Sequence, residues 1–249
     1  MLEPDALTSL VAPNERNDTR LAPTGTRVSL WFTASVDLPH GSLELGTARR
    51  GHLLFLAGFL TAPRAYASML APIADAGFHV VVPKLYPRRW RVMTGRFSPD
   101  DEAAAAIAVA QRIVDDAPGP LWLGGHSRGG LVAWLAAPTI EPMGLLLVDP
   151  VSGGGGPRAT PEPPPRRTLH CPCLVIGCAV SGACAPTGRN HIEFARRATG
   201  CTHVVVPDCG HADMLDGIEA WLGRRACGHG HDPAAARAAI TALLLDALE

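Results

Sequence analysis

The chain has 249 residues, a formal net charge of −1, 47% apolar and 18% charged side chains, a balance that fits one soluble globular domain able to remove roughly three quarters of its unfolded surface from water. So even a charge gives no reason to expect nucleic acid or an acidic surface as a partner. The acid- and proline-bearing N-terminus carries no targeting signal and no apolar stretch approaches the roughly 20 residues that span a bilayer, which leaves peripheral membrane contact at most and the cytoplasm as the default location.

Residues 1–26 read as an irregular extension of a single domain over 1–249. Strands are expected at Arg27–Phe32 and His52–Ala57, the second almost continuously apolar, as a strand covered on both faces should be. Arg64–Ala76 has helical spacing, with Tyr66, Met69, Leu70 and Ile73 on one side and Gly77 as its stop. Phe78–Pro83 is the next strand. Lys84–Pro99 mixes Arg88, Arg89, Arg91 and Arg96 with Trp90 and Met93; its place after a strand end puts those two apolar side chains at the rim of the expected site, where they would touch an apolar substrate. Asp100–Asp116 is a helix with acids on the positive end of its dipole, stopped by Pro118-Gly119-Pro120.

Leu121–Gly125 then leads into Gly125-His126-Ser127-Arg128-Gly129-Gly130. In G-x-S-x-G the glycines allow a sharp strand-to-helix turn that lifts the serine hydroxyl above the sheet as an exposed nucleophile. Gly144–Val148 is a strand ending at Asp149-Pro150, and Ser152–Pro165, with its glycine and proline runs, is a surface loop. Cys173–Gly177, Asn190–Ala198, Thr202–Val206 and Pro233–Leu248 continue as strand, helix, strand and helix. The alternation is that of a mostly parallel sheet with helices on both faces.

A neutral serine hydroxyl needs a base to take its proton and an acid to orient that base, and after such an elbow the chain order is serine, acid, histidine, each at a strand end. Asp149 stands at the end of the next strand. The only other acid between Val151 and Ile192 is Glu162, inside the proline-rich loop. Of the later histidines, His170 precedes a strand, His203 starts one, and His229 and His231 sit in a glycine-rich connection, whereas His211 follows the strand Thr202–Val206. Ser127, Asp149 and His211 are therefore the expected catalytic set.

The oxyanion of an acyl-transfer intermediate needs backbone N–H donors. Arg128, directly after the nucleophile, supplies one; the turn Ala57-Gly58-Phe59-Leu60 supplies the other, with Phe59 the first choice and Gly58 and Leu60 beside the substrate. The Arg128 side chain has two readings of equal weight, an acid on the substrate or an acid of the protein. Asp213 and Asp216 either orient the His211 loop or mark a helix start near Met214. Cys227-Gly-His229-Gly-His231 lacks a partner cluster for zinc, so no metal is expected. Seven cysteines cannot all pair within the chain; they are taken as thiols, with Cys178 and Cys184 open to forming a bridge.

Four blocks in order, Gly125–Gly130, Val148-Asp149-Pro150-Val151, Cys184-Ala185-Pro186 with Asn190–Phe194, and Gly210–Asp216, resemble the signature blocks of the chlorophyllase family of the α/β-hydrolase fold. Phe55–Phe59 is a fifth, weaker block, with Ala57 where that family commonly has histidine. The resemblance runs from about Leu53 to Gly217. It implies the same three catalytic residues, no metal or organic cofactor, and hydrolysis of a hydrophobic small-molecule ester, the phytyl ester of chlorophyll. A broader esterase or lipase, or a binding protein without catalysis, are the alternatives.

Overall fold

The computed structural model describes residues 38–85, 98–153 and 164–249. The expected strand at Arg27–Phe32, the extension at 1–26, Trp90, Met93 and most of the two loops at 84–99 and 152–165 lie outside the described residues.

Among the described residues seven strands form one sheet: β1 (Leu43–Leu45), β2 (Gly51–Leu56), β3 (Phe78–Val82), β4 (Leu121–His126), β5 (Leu145–Val148), β6 (Cys173–Val180) and β7 (Cys201–Gly210), in the order β1-β3-β2-β4-β5-β6-β7. All neighbours are parallel except β1, which runs antiparallel along β3 and was not foreseen. Every residue of β2 and β3 is buried. Because side chains alternate along a strand, Leu53 and Phe55 enter one core and Leu54 and Leu56 the other. The first core takes the inner faces of α1 (Ala67–Asp75), α5 (Gly217–Cys227) and α6 (Pro233–Asp246); the second takes those of α2 (Pro99–Asp116), α3 (Arg128–Ile140) and α4 (His191–Arg197).

Helix boundaries follow their caps. Ser98 caps α2, accepting from the Asp101 amide while Asp101 returns a bond to Ser98 N–H, an arrangement that contributes about 1 kcal/mol. The single helix expected over 64–76 is split: Pro63–Tyr66 is a 3-10 turn and α1 begins at Ala67, because Tyr66 sits at φ −102°, ψ 3° rather than in helical geometry.

β3 lies on one side of β2 and β4 on the other, so the strand order reverses between β2 and β4. At such a reversal the connections leave in opposite directions and open a crevice beyond the strand ends. The turn after β2 and the elbow after β4 border it.

Candidate active site

Ser127 is the single residue between β4 and α3, at φ +56°, ψ −122°. A side chain in that region stores about 1–3 kcal/mol, so the surroundings must fix it. They do so through the Ser127 N–H, which donates to the Val148 carbonyl at 3.1 Å, and through its carbonyl, which accepts from Gly130, Leu131 and Val151 amides at 3.0, 3.3 and 3.1 Å. Gly129 is required for close approach: a Cβ there would collide with the Leu56 carbonyl.

His211 and Asp149 are each the first residue beyond a strand, β7 and β5 respectively. His211 Nε2 lies 2.9 Å from Ser127 Oγ and its Nδ1 lies 2.6 Å from Asp149 Oδ2. Asp149 has no exposed surface. Its Oδ2 also accepts from Ser181 Oγ at 2.5 Å, and its Oδ1 from the Cys178 amide at 3.1 Å. Burial alone would push this carboxyl up, but the bonds from His211, Ser181 and Cys178 outweigh it and hold it below the usual carboxylate range. The carboxylate therefore stays charged and holds the Nδ1 hydrogen, leaving Nε2 bare toward the serine. Ser181 had no signal in the sequence, since it lies in the turn after β6 with no motif around it.

Asp213 braces the His211 loop, while Asp216 stands at the N-cap position of α5, whose first residue is Gly217. Asp213 accepts from the Gly210 and Gly230 amides at 2.6 and 2.8 Å and from Arg224 Nε at 3.1 Å. Asp216 accepts from the Ser68 amide at 2.8 Å and Arg237 Nη1 at 2.7 Å, and α5 begins only at Gly217. The Asp216 carboxylate makes no capping bond to α5, because the Ser68 amide and Arg237 hold it.

Beside Ser127, the hydrogen-bond directions follow from the groups that can only accept. His126 Nε2 lies 2.9 Å from the His211 carbonyl, which only accepts, so Nε2 carries hydrogen. Burial pushes the His126 ring down to about 3, so it is neutral and Nδ1 is bare. Tyr66 Oη, 2.8 Å from Nδ1, donates to it, and in turn accepts the Gly58 amide at 2.8 Å. One directed chain thus runs from the turn after β2 through Tyr66 and His126 to the backbone of His211. Neither Tyr66, which reads as a core residue, nor His126, the variable position of the elbow motif, was singled out from the sequence.

This chain sorts the expected oxyanion residues. Gly58 abuts the nucleophile, since a Cβ on it would stand 3.3 Å from Ser127 Cβ and 3.1 Å from His126 Nδ1, but its amide is committed to Tyr66. Phe59, the next residue, is left as the donor candidate of that turn, and Leu60 follows at φ +56°. Arg128 opens α3, so its amide belongs to the N-terminal set of that helix. Its side chain resolves the two readings in favour of a protein acid: it is 5% exposed, Nε donates to Glu102 Oε1 at 2.7 Å, and Nη2 reaches the same oxygen. The guanidinium also lies 5.7 Å from the centre of the Phe59 ring.

The cysteines differ from expectation. Cys173 is bridged to Cys201 and Cys184 to Cys227, with Cα–Cα separations of 4.6 and 5.2 Å. Cys184 is not near Cys178 in bonding terms, because its 3-10 turn packs against the end of α5 while Cys178 faces the core between β6 and β7. Within 227–231, Cys227 is half of a cystine and His231 pairs with Asp208 at 2.7 Å. Among the described residues no helix is long and apolar enough to cross a membrane.

Solved structures share this architecture. An esterase, Thermogutta terrifontis esterase 2 phosphoramylated by tabun, superposes with a TM-score of 0.59 over 82% of this chain and 87% of that one at 15% identity. A structure from work on novel epoxide hydrolases of the α/β-hydrolase superfamily gives 0.59 over 86% and 97% at 16% identity. At such identities the likeness establishes the α/β-hydrolase fold. In sequence, Arabidopsis thaliana chlorophyllase-2 is 29% identical over 191 residues, covering 66% of this chain and 60% of the relative. Citrus unshiu chlorophyllase-1, chloroplastic, is 28% identical over 207 residues, covering 72% and 61%. The chain thus spans about 60% of the length of the curated relatives it matches. The Chlorophyllase family model matches residues 48–241, a stretch that holds Ser127, Asp149, His211 and all the groups that bind them, and the chain belongs to the chlorophyllase family.

Proposed function

We propose that the chain is a serine carboxylic-ester hydrolase that cleaves the phytyl ester of chlorophyll to chlorophyllide and phytol through an acyl-enzyme. The observation that carries this is the unbroken set of contacts from Asp149 through His211 to Ser127 at the switch between β2 and β4. In this reading His211 Nε2 takes the Ser127 proton as Oγ attacks the ester carbonyl, and returns it to the departing alcohol. Asp149 stabilises the imidazolium formed in between, and the Phe59 and Arg128 amides receive the oxyanion. Water activated by the same histidine then releases the acid. Gly58 and Leu60 line the approach to Ser127; Trp90 and Met93 belong to the apolar rim in the sequence reading.

Replacing Ser127 with Ala should lower release of chlorophyllide, and of nitrophenol from a short nitrophenyl ester, by about 10⁶-fold in kcat. Undiminished turnover in the purified variant sinks the reading. A broader esterase is the second reading, favoured by Ala57 at a position where the family commonly has histidine. Rates on chlorophyll beside nitrophenyl esters of graded chain length separate the two: fast simple-ester cleavage with negligible chlorophyll turnover selects the broader enzyme. A folded protein whose Ser127 resists a fluorophosphonate probe would be a binding protein instead.

A further inference from the structure

β6 and β7 are bridged near their starts by Cys173–Cys201, two residues that face each other in the strand register. At the far end of the same strand pair stand two more cysteines. The strands advance unequally there, because Cys178 pairs with Val206 while Val180 pairs with Gly210, four positions on β7 against two on β6. The surplus bulges, with Asp208 in the left-handed region at φ +51°, and turns Cys209 inward. Its Sγ lies 3.1 Å from Cys178 Sγ, and both side chains are buried.

We propose that Cys178 and Cys209 close as a third cystine, which locks the backbone holding the acid of the site to the loop carrying its base. The Cys178 amide donates to Asp149 Oδ1 at 3.1 Å, and Cys209 precedes His211 by two positions. A bond between the sulfurs therefore joins the two ends of the Asp149–His211 contact behind the imidazole. It also accounts for the count: three cystines use six of the seven cysteines and leave the partly exposed Cys171 as the single thiol.

Closure breaks two S–H bonds and forms one S–S bond, and the two electrons and two protons go to a small disulfide such as oxidised glutathione, which becomes two thiols. One thiolate attacks that disulfide and expels the first thiol; the second thiolate displaces the other from the mixed disulfide. The hydrogen bond from Cys209 and burial push the Cys178 thiol up, so little thiolate exists once the core is packed. The bridge accordingly forms while β7 is docking, and afterwards burial shields it from reductants. Cystines persist in oxidising surroundings, unlike the reducing cytoplasm expected from the sequence, and a third one strengthens that consequence.

The test is to refold the full chain in a buffer of reduced and oxidised glutathione, quench with acid, alkylate, digest without reduction and map the peptides. The expected result is a cross-linked Cys178–Cys209 peptide and alkylation confined to Cys171. Alkylated Cys178 and Cys209 in material whose Cys173–Cys201 bridge is closed overturns the proposal. For the locking role, amide hydrogen exchange across 207–213 should be slower in the oxidised chain than in the Cys178→Ser, Cys209→Ser double variant by at least tenfold; equal exchange in a folded variant overturns it. Neither measurement uses ester turnover, so failure here is distinct from failure of the proposed activity.

Discussion

Histidines pair at both ends of the parallel strands, and the two pairs meet different partners. At the amino ends of β2 and β3, His52 and His79 are register partners with Nδ1 atoms 3.1 Å apart. His52 Nε2 reaches the Ala117 carbonyl at 2.8 Å and His79 Nε2 reaches Glu44 Oε1 at 2.7 Å. A carbonyl and a carboxylate only accept, so both Nε2 atoms carry hydrogen. Burial pushes the His52 ring down, and the acid at this end, Glu44, is the partner of His79. At the carboxyl ends of the strands the rings of His126 and His211 lie 4.7 Å apart, tilted by 43°, and every bond of His126 is satisfied by a neutral ring. The difference teaches where a fold places charge: an acid faces the histidines at the amino ends, whereas beside Ser127 the hydrogen-bond partners of the second imidazole, Tyr66 and a carbonyl, are neutral.

Breaking the acid of the functional end should have the largest effect. Asp149→Asn keeps the shape but supplies an amide where the carboxylate accepts from His211, Ser181 and Cys178. It should lower kcat on a nitrophenyl ester by about 10⁴-fold, through the wrong His211 tautomer. A loss of less than tenfold in a folded variant breaks the assignment of Asp149 and with it the contrast between the two ends.

Tyr66→Phe sharpens the comparison one shell out. It leaves the Gly58 amide and His126 Nδ1 without partners in a buried site, which should cost about 1–3 kcal/mol of stability. Because the released amide belongs to the oxyanion turn, kcat should fall roughly tenfold with KM unchanged, less than the 10²–10³ expected for losing a donor itself. Stability lost with kcat intact would make Tyr66 a packing residue and no more.

The fixed tautomer of His126 also predicts a pH dependence. Its folded value of about 3 lies below the unfolded 6.5, so within that window the unfolded chain binds the extra proton and stability falls as the pH drops, by at most about 1.4 kcal/mol per pH unit from this group. The depressed Asp149 carboxyl acts in the same direction at the acid end, where its stabilisation is lost as pH falls through its folded value. Urea unfolding at a series of pH values checks this, and His126→Gln should flatten the slope between 4 and 6 on the order of the one-proton contribution. An unchanged slope in that variant rules out His126 as its source.

What could be read from residue order alone divides along the same line. Ser127, Asp149 and His211 were legible because each follows a strand whose apolar run is visible, and topology then converges strand ends in a fixed sequence. Residues defined by a partner far along the chain were not: Tyr66 meets His126 sixty positions away, Ser181 meets Asp149 across 32, and Asp216 meets the Ser68 amide across 148. Periodicity reports which face of an element is buried, not which polar group waits there. The same limit hid β1, whose three residues Leu43–Leu45 carry too short an alternation to stand out, and the cystine of Cys184 with Cys227 across 43 positions. Tyr66 is the instructive case, since its place in an apolar stripe was correct for its ring and silent about its hydroxyl.

The smallest effect is expected at the other end of the sheet. Glu44→Gln removes the charge opposite the His52–His79 pair while keeping an oxygen that accepts from His79 Nε2. Glu44 retains 31% of its side-chain exposure, so water already screens it, and the loss should stay below about 1 kcal/mol and shrink further in high salt. Ester turnover should be unchanged, because the length of β2 and β4, buried except at the partly exposed Trp122, separates this pair from Ser127. A several-fold fall in kcat without a matching fall in stability would mean that the two ends are coupled, and the separation between a structural and a chemical histidine pair would not hold.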